Sequence, residues 1–168
     1  GAIDTSEGGQ QATPSGVDMN TCPHCGCEVV MPDKRRSVPQ IRRAFALWRA
    51  AYHHWPEQHD TQFASVEELR KWTLIKAGHC TIAARIPVTG IRPDRLIAVV
   101  EAAMRAAGSY AVPVLHGTDL VVFVPRSIAF HRLNHLAACA LFDDVAAVIE
   151  AETGLKAEQL LKETERAA

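Results

Sequence analysis

The sequence predicts an α+β domain, in which several helices pack on a small antiparallel sheet, with a metal-binding knuckle at its N-terminal end. Three observations carry this. Apolar residues recur at helical spacing in several segments, bounded by capping residues at one end and glycine at the other. Two β-rich segments flank a short turn that contains glycine. Three of the five cysteines crowd into the six residues Cys22-Pro23-His24-Cys25-Gly26-Cys27.

With 168 residues, 48% of them hydrophobic and 22% charged, the chain can bury one proper core without help from disulfides. No apolar run approaches the roughly 20 residues that span a bilayer, and the first residues lack the pattern of a secretory signal. A cytoplasmic protein is expected. An odd number of cysteines, clustered as they are, suits a reducing compartment and metal ligation better than a disulfide framework.

Residues 1–18 are rich in Gly, Ser, Gln and Thr and nearly devoid of large apolar side chains, so they are expected to form a disordered leader. Met19, directly before the cysteine motif, is an alternative native start. Residues 19–33 form the knuckle, with Val29, Val30 and Met31 as a short strand that Pro32-Asp33 breaks. The α+β domain then runs over 34–168. Its first helix opens on a capping box, Ser37 with Gln40, and has Pro39 in its first turn. Ile41, Phe45, Trp48, Tyr52 and Trp55 recur at alternating spacings of four and three, one apolar stripe ending before Pro56.

A second capping box, Ser65 with Glu68, opens a helix that buries Leu69, Trp72 and Ile75 and stops at Gly78. A third helix is expected from Pro93 to Ala107, before Gly108. The segments Ala111 to Leu115 and Leu120 to Val124 flank His116-Gly117-Thr118-Asp119 and read as a hairpin, whose first strand Pro113 confines to a sheet edge. Asn134 caps a long helix bearing Leu136, Ala140, Val145, Val148 and Ile149, closed by Gly154. A short charged helix from Lys156 to Arg166 ends the chain.

Two thiolates two residues apart can grip one tetrahedral ion, so the knuckle reads as half of a zinc site. Cys22, Cys25, Cys27 and His24 are the ligand candidates within it; the His79-Cys80 pair, or His131 and His135, are candidates outside it. Structural Zn2+ is expected, since a catalytic ion needs an open position and a positioned base. Free surface thiols are the bland alternative. A redox pair would open a helix after a strand, whereas the residues downstream read as strand.

The net charge of −1 hides a polarity. Lys34, Arg35, Arg36, Arg42, Arg43 and Arg49 occur in one stretch with no acidic residue among them, while the segment from Asp143 onward is net acidic. Guanidinium groups neutralise phosphates, so this run is the strongest partner signal in the chain. Trp48, Tyr52 and Trp55 lie on the apolar stripe and belong to the core rather than to a stacking platform for bases. His53, His54 and His59 do not form the His-Glu-x-x-His spacing of zinc-protease helices. Asp143-Asp144 project about 100° apart on a helix and read as a solvated face. Phosphate loops, nucleophile elbows and dinucleotide fingerprints are absent.

Arg36-Ser37-Val38-Pro39-Gln40-Ile41-Arg42-Arg43, the Lys71-Trp72-Thr73 triplet and Arg126-Ser127-Ile128 leading into the last long helix resemble the phage Orf or NinB recombination mediators and a sister group of phage proteins. The likeness spans most of Arg36 to Leu155 in short motifs. It implies a homodimer that binds single-stranded or branched DNA without turnover, cooperates with the host single-strand-binding protein and helps load a recombinase. It also implies Arg36, Gln40, Arg42 and Arg43 as DNA contacts. The zinc knuckle is not part of that pattern, and Pro39 replaces a residue that is usually acidic there.

The expected function is therefore that of a phage-derived, non-enzymatic DNA-binding accessory of recombination or replication, with Lys34, Arg35, Arg36, Gln40, Arg42, Arg43 and Arg49 as the binding residues. Two alternatives stand beside it. One is a metal-dependent nuclease using the histidines with Asp143 or Asp144, and the other is a protein-binding inhibitor of a host defence or repair complex.

Overall fold

A computed structural model describes residues 38–128 and 133–166. They lie within the unit Asp33–Ala168 and form five helices and one three-stranded sheet. The expected leader, the knuckle, the strand at Val29–Met31 and the capping residue Ser37 fall outside the described residues.

Helix α1 (Val38–His53) packs against α2 (Val66–Lys76), α4 (His135–Thr153) and α5 (Ala157–Arg166). A helix enclosed on three sides must bury more than one stripe. Ile41, Ala44, Leu47, Trp48, Ala50 and Ala51 are all buried, with Phe45 and Tyr52 packed at the margin. The expected periodicity overran the helix by one step. Trp55 lies in the loop beyond α1, where its indole donates to the Thr61 carbonyl at 3.0 Å and its ring meets Phe63 and Trp72 edge-on.

Helix α2 begins as expected. Ser65 Oγ accepts from the Glu68 amide, and the Glu68 carboxylate reaches back to the Ala64 amide at 3.0 Å. Leu69, Trp72 and Ile75 are buried. The left-handed Gly78, with φ at 82°, lets its own amide and that of His79 return to the carbonyls of Ile75 and Leu74.

Cys80–Pro87, to which the sequence assigned no element, is strand β1. Its register slips between Ile82 and Ala84, so a bulge breaks the alternation that would have announced it. After α3 (Pro93–Ala106), strands β2 (Val112–His116) and β3 (Asp119–Pro125) form the expected hairpin around Gly117-Thr118. The strand order is β1-β3-β2, antiparallel throughout, so α3 is the crossover between two edge strands and β3 lies between them. Pro113 therefore stands on an edge, as its missing N–H demands. Val121 and Val122 face opposite sides of the sheet and are both buried. Helix α2 packs on β3, while α3 packs on β2 and buries no residue completely.

Helix α4 is capped by Asn134, whose Oδ1 accepts from the Ala137 amide at 2.8 Å, and closed by Gly154 in the left-handed conformation. Its buried line is Ala138, Cys139, Leu141, Phe142, Val145, Ala146 and Ile149. Leu136 is 59% exposed and Ala140 is exposed, so these two residues of the expected apolar line are not core. Helix α5 docks through Ala157 and Leu160. Among the described residues, no helix is long and apolar enough to cross a membrane.

The α1–α2 contact is pinned by one buried polar link. Trp48 Nε1 donates to Thr73 Oγ1 at 2.8 Å, both residues are fully buried, and the hydroxyl in turn donates to the Arg70 carbonyl. Thr73→Val keeps the volume but leaves the indole N–H without an acceptor, so it should cost about 1–3 kcal/mol in urea denaturation. Thr73→Ser retains the acceptor and should cost clearly less than Thr73→Val.

Candidate nucleic-acid interface

The surroundings of α1 leave it one solvent-facing arc. Positions 42, 46, 49 and 53 recur at spacings of four, three and four and carry Arg42, Ala46, Arg49 and His53; of these, Arg42, Arg49 and His53 are exposed. Helix α1 contains no acidic residue. Among the described residues, no carboxylate forms an ion pair with Arg42 or Arg49. Arg43 flanks the arc and is held differently, with its guanidinium carbon 4.6 Å from the centre of the Phe142 ring. On that side a shallow groove runs between α1 and α5, where Arg42, Arg43 and Lys162 outnumber Glu158.

Gln40 departs from expectation. It is 3% exposed, so its amide is turned into the fold and out of reach of a polyanion. The helical step from 42 to 40 accounts for this, because it moves a side chain by about 200° around the axis. Lys34, Arg35 and Arg36 lie outside the described residues, as do the metal-ligand candidates Cys22, His24, Cys25 and Cys27.

Three acidic side chains of α4 and α5 meet histidines rather than the α1 arginines. His79 Nε2 meets Asp144 Oδ2 at 2.8 Å, His59 Nε2 meets Glu152 Oε2 at 2.8 Å, and His54 Nε2 meets Glu163 Oε2 at 3.0 Å. These contacts disperse the histidines that a nuclease reading would gather, and they give Asp144 a structural partner. His135 lies 3.6 Å from the buried Cys139 sulfur on α4, while His131 is outside the described residues. Among the described residues, no three His, Cys, Asp or Glu side chains come together in a set that could hold a metal ion.

A separate cavity on the far side of α2 is bordered by Glu68, Lys71, Glu101, Arg105 and Tyr110. Burial pushes the Tyr110 phenol up to about 12, with the carboxylates of Glu68 and Glu101 adding to it and Arg105 opposing. Opposed charges, Glu68 and Glu101 against Lys71 and Arg105, line this cavity.

Comparison of the chain with family models, curated proteins and solved structures finds no match.

The raised phenol carries a testable linkage. Folding favours the protonated Tyr110, so its contribution is fully present below the unfolded tyrosine pKa of about 10 and is lost as pH rises through about 12. Urea midpoints of the native protein and Tyr110→Phe should therefore keep a constant difference up to pH of about 9.5 and change relative to each other only above it, the native protein losing more.

Proposed function

We propose that this chain is a non-enzymatic, DNA-binding accessory of phage recombination or replication, which lays single-stranded or branched DNA across the exposed arc of α1. The observation that carries this is the pair Arg42 and Arg49, exposed on one face of a helix without acidic residues and without carboxylate partners among the described residues. Cations already neutralised by the protein's own carboxylates release no counterions on binding a phosphate chain; these two would. Arg43, beside Phe142, adds a third positive charge at a fixed position. Lys34, Arg35 and Arg36 precede α1 in the chain and extend the basic run.

The likeness of Arg36 to Arg43, Lys71 to Thr73 and Arg126 to Ile128 to the Orf or NinB mediators supports the same function. With it come the further parts of the proposal: a homodimer in the host cytoplasm, cooperating with the host single-strand-binding protein or recombinase. Zn2+ bound by Cys22 and Cys25, with Cys27 or His24 among the other ligands, serves a structural role.

Anisotropy titration of a labelled single-stranded oligonucleotide should show binding that weakens steeply with salt. Arg42→Ala/Arg49→Ala should lower the slope of log K against log salt by about 1.4 and the affinity by roughly 25-fold near 0.1 M salt, taking about 0.7 per phosphate contact. Exposed substitutions of this kind should change stability by no more than about 0.5 kcal/mol. Absence of binding at low salt ends the proposal, and so does a double variant that binds as tightly as the native chain. Cleavage of the oligonucleotide on adding Mg2+ or Mn2+ would replace it with the nuclease alternative.

Elemental analysis of the full chain should find one zinc per molecule, and Cys22→Ser/Cys25→Ser should abolish it. Zinc that persists in that variant would place the ion elsewhere.

A further inference from the structure

On the other flank of the α1 arc lies a groove whose charge the activity proposed above does not use. Helix α2 gives it Arg70 and Lys71, the end of β3 leads into Arg126 and Ile128, and Phe45 of α1 forms its border. Phe45 stands three residues after Arg42 and four before Arg49, so the groove opens directly beside the arginine arc.

The three cations of this groove are held unequally. Glu67 forks onto the Arg70 guanidinium and also lies 3.6 Å from Lys71 Nζ. Arg70 sits over the Phe45 ring, 5.7 Å from its centre. The Glu67 carboxyl is held below the usual carboxylate range, mainly by its hydrogen bond from Arg70, so it stays ionised and keeps Arg70 in place. One carboxylate shared by two cations leaves an excess, and Arg126 is exposed with no ion pair among the described residues. The groove thus joins an apolar border, Phe45 and Ile128, to a cationic rim, Lys71 and Arg126. Its volume of about 400 Å³ is at the lower end of the roughly 300–1,000 Å³ of small-ligand pockets.

We propose that this groove holds one unpaired nucleotide of the strand that crosses α1, with its base against Phe45 and Ile128 and its phosphate between Lys71 and Arg126. Cations alone would suit any anion. The apolar border beside them, Ile128 and the part of Phe45 that Arg70 leaves uncovered, matches a base next to a phosphate, the pairing of surfaces that single-strand-binding grooves use. The assignment rests on the α1 interface proposed above, and it makes a strand turning off the helix arc, rather than duplex, the fitting ligand.

The test is anisotropy titration of labelled oligothymidylate across a salt series, using the full chain and variants whose folding is checked by circular dichroism melts. Lys71→Ala/Arg126→Ala should lower the salt slope by about 1.4 and weaken binding roughly 25-fold near 0.1 M salt. Arg126→Ala alone, at an exposed position, should give about half of that slope change. Arg85→Ala, on the exposed edge strand β1, should leave both quantities unchanged. The groove assignment is overturned, with the α1 interface left standing, if the native chain binds and Arg42→Ala/Arg49→Ala weakens it but the groove variants match the native chain. It is overturned equally if Arg85→Ala costs as much as Arg126→Ala, or if polyglutamate of matched charge displaces the strand as effectively as unlabelled oligothymidylate. Failure of the native chain to bind ends both proposals together.

Discussion

The enclosure of α1 by three other helices is the constraint on which the rest of this structure depends. Trp48, Leu47 and Ala51 have no exposed surface, and the Trp48 indole is committed to Thr73 on α2. Removing a large indole and its neighbours from water stabilises the domain by several kcal/mol, on the scale of about 25 cal/mol per Å² of apolar surface. A helix packed in this way has only one direction left for side chains that must stay hydrated. Arginine cannot be buried without a partner at a tolerable cost, so Arg42 and Arg49 are forced onto the same arc. The basic face follows from core packing and from the absence of acidic residues in α1.

How the acidic residues are deployed sharpens that face. Among the described residues, three histidine–carboxylate contacts join separate parts of the fold: His79 to Asp144, His59 to Glu152 and His54 to Glu163. Each fastens a loop or helix end to α4 or α5. Three carboxylates of α4 and α5 are thereby held against histidines rather than against Arg42 or Arg49. Of the basic early segment visible in the sequence, Arg42 and Arg49 keep their charge free of an ion pair to the acidic late one among the described residues. Among the described residues, Glu158 is the acid that borders the α1–α5 groove beside Arg42, Arg43 and Lys162.

Local chemistry made much of this fold legible in advance. Ser65, Asn134, Gly78 and Gly154 act through hydrogen bonds and backbone angles within a few residues of themselves, so their roles do not depend on distant partners. The hairpin around Gly117 is equally local. Strand β1 was not legible, because its bulge at Ala83 shifts the faces midway and its middle residues, Ala83, Ala84 and Arg85, have weak strand preference. Nor was the fate of Gln40 or Leu136: a polar residue is buried in one case and a large apolar one exposed at 59% in the other, and both outcomes depend on which helix lies opposite. The candidate site was legible in the same partial way. Composition marked Arg42, Arg43 and Arg49, whereas the nearness of Arg126 to Lys71 and Phe45 is a product of tertiary structure.

The two basic regions share a construction that bears on how such a surface works. In each, one arginine is anchored over an aromatic ring, Arg43 over Phe142 and Arg70 over Phe45, while another cation, Arg42 or Arg126, is exposed. A guanidinium laid on a ring keeps its charge while losing most of its freedom, because its planar, weakly hydrated group suits the π face better than an ammonium does. The ring fixes where each anchored arginine stands, although Glu67 takes up the charge of Arg70, and the exposed cation nearby, Arg42 or Arg126, is open to a phosphate. For Arg43 the entropy of ordering the side chain was lost during folding, so less of it is left to lose on binding a flexible polyanion. Phe45 belongs to both regions, bordering the groove while standing between Arg42 and Arg49 in sequence, so the packing that fixes α1 also fixes the spacing between the two sets of charges.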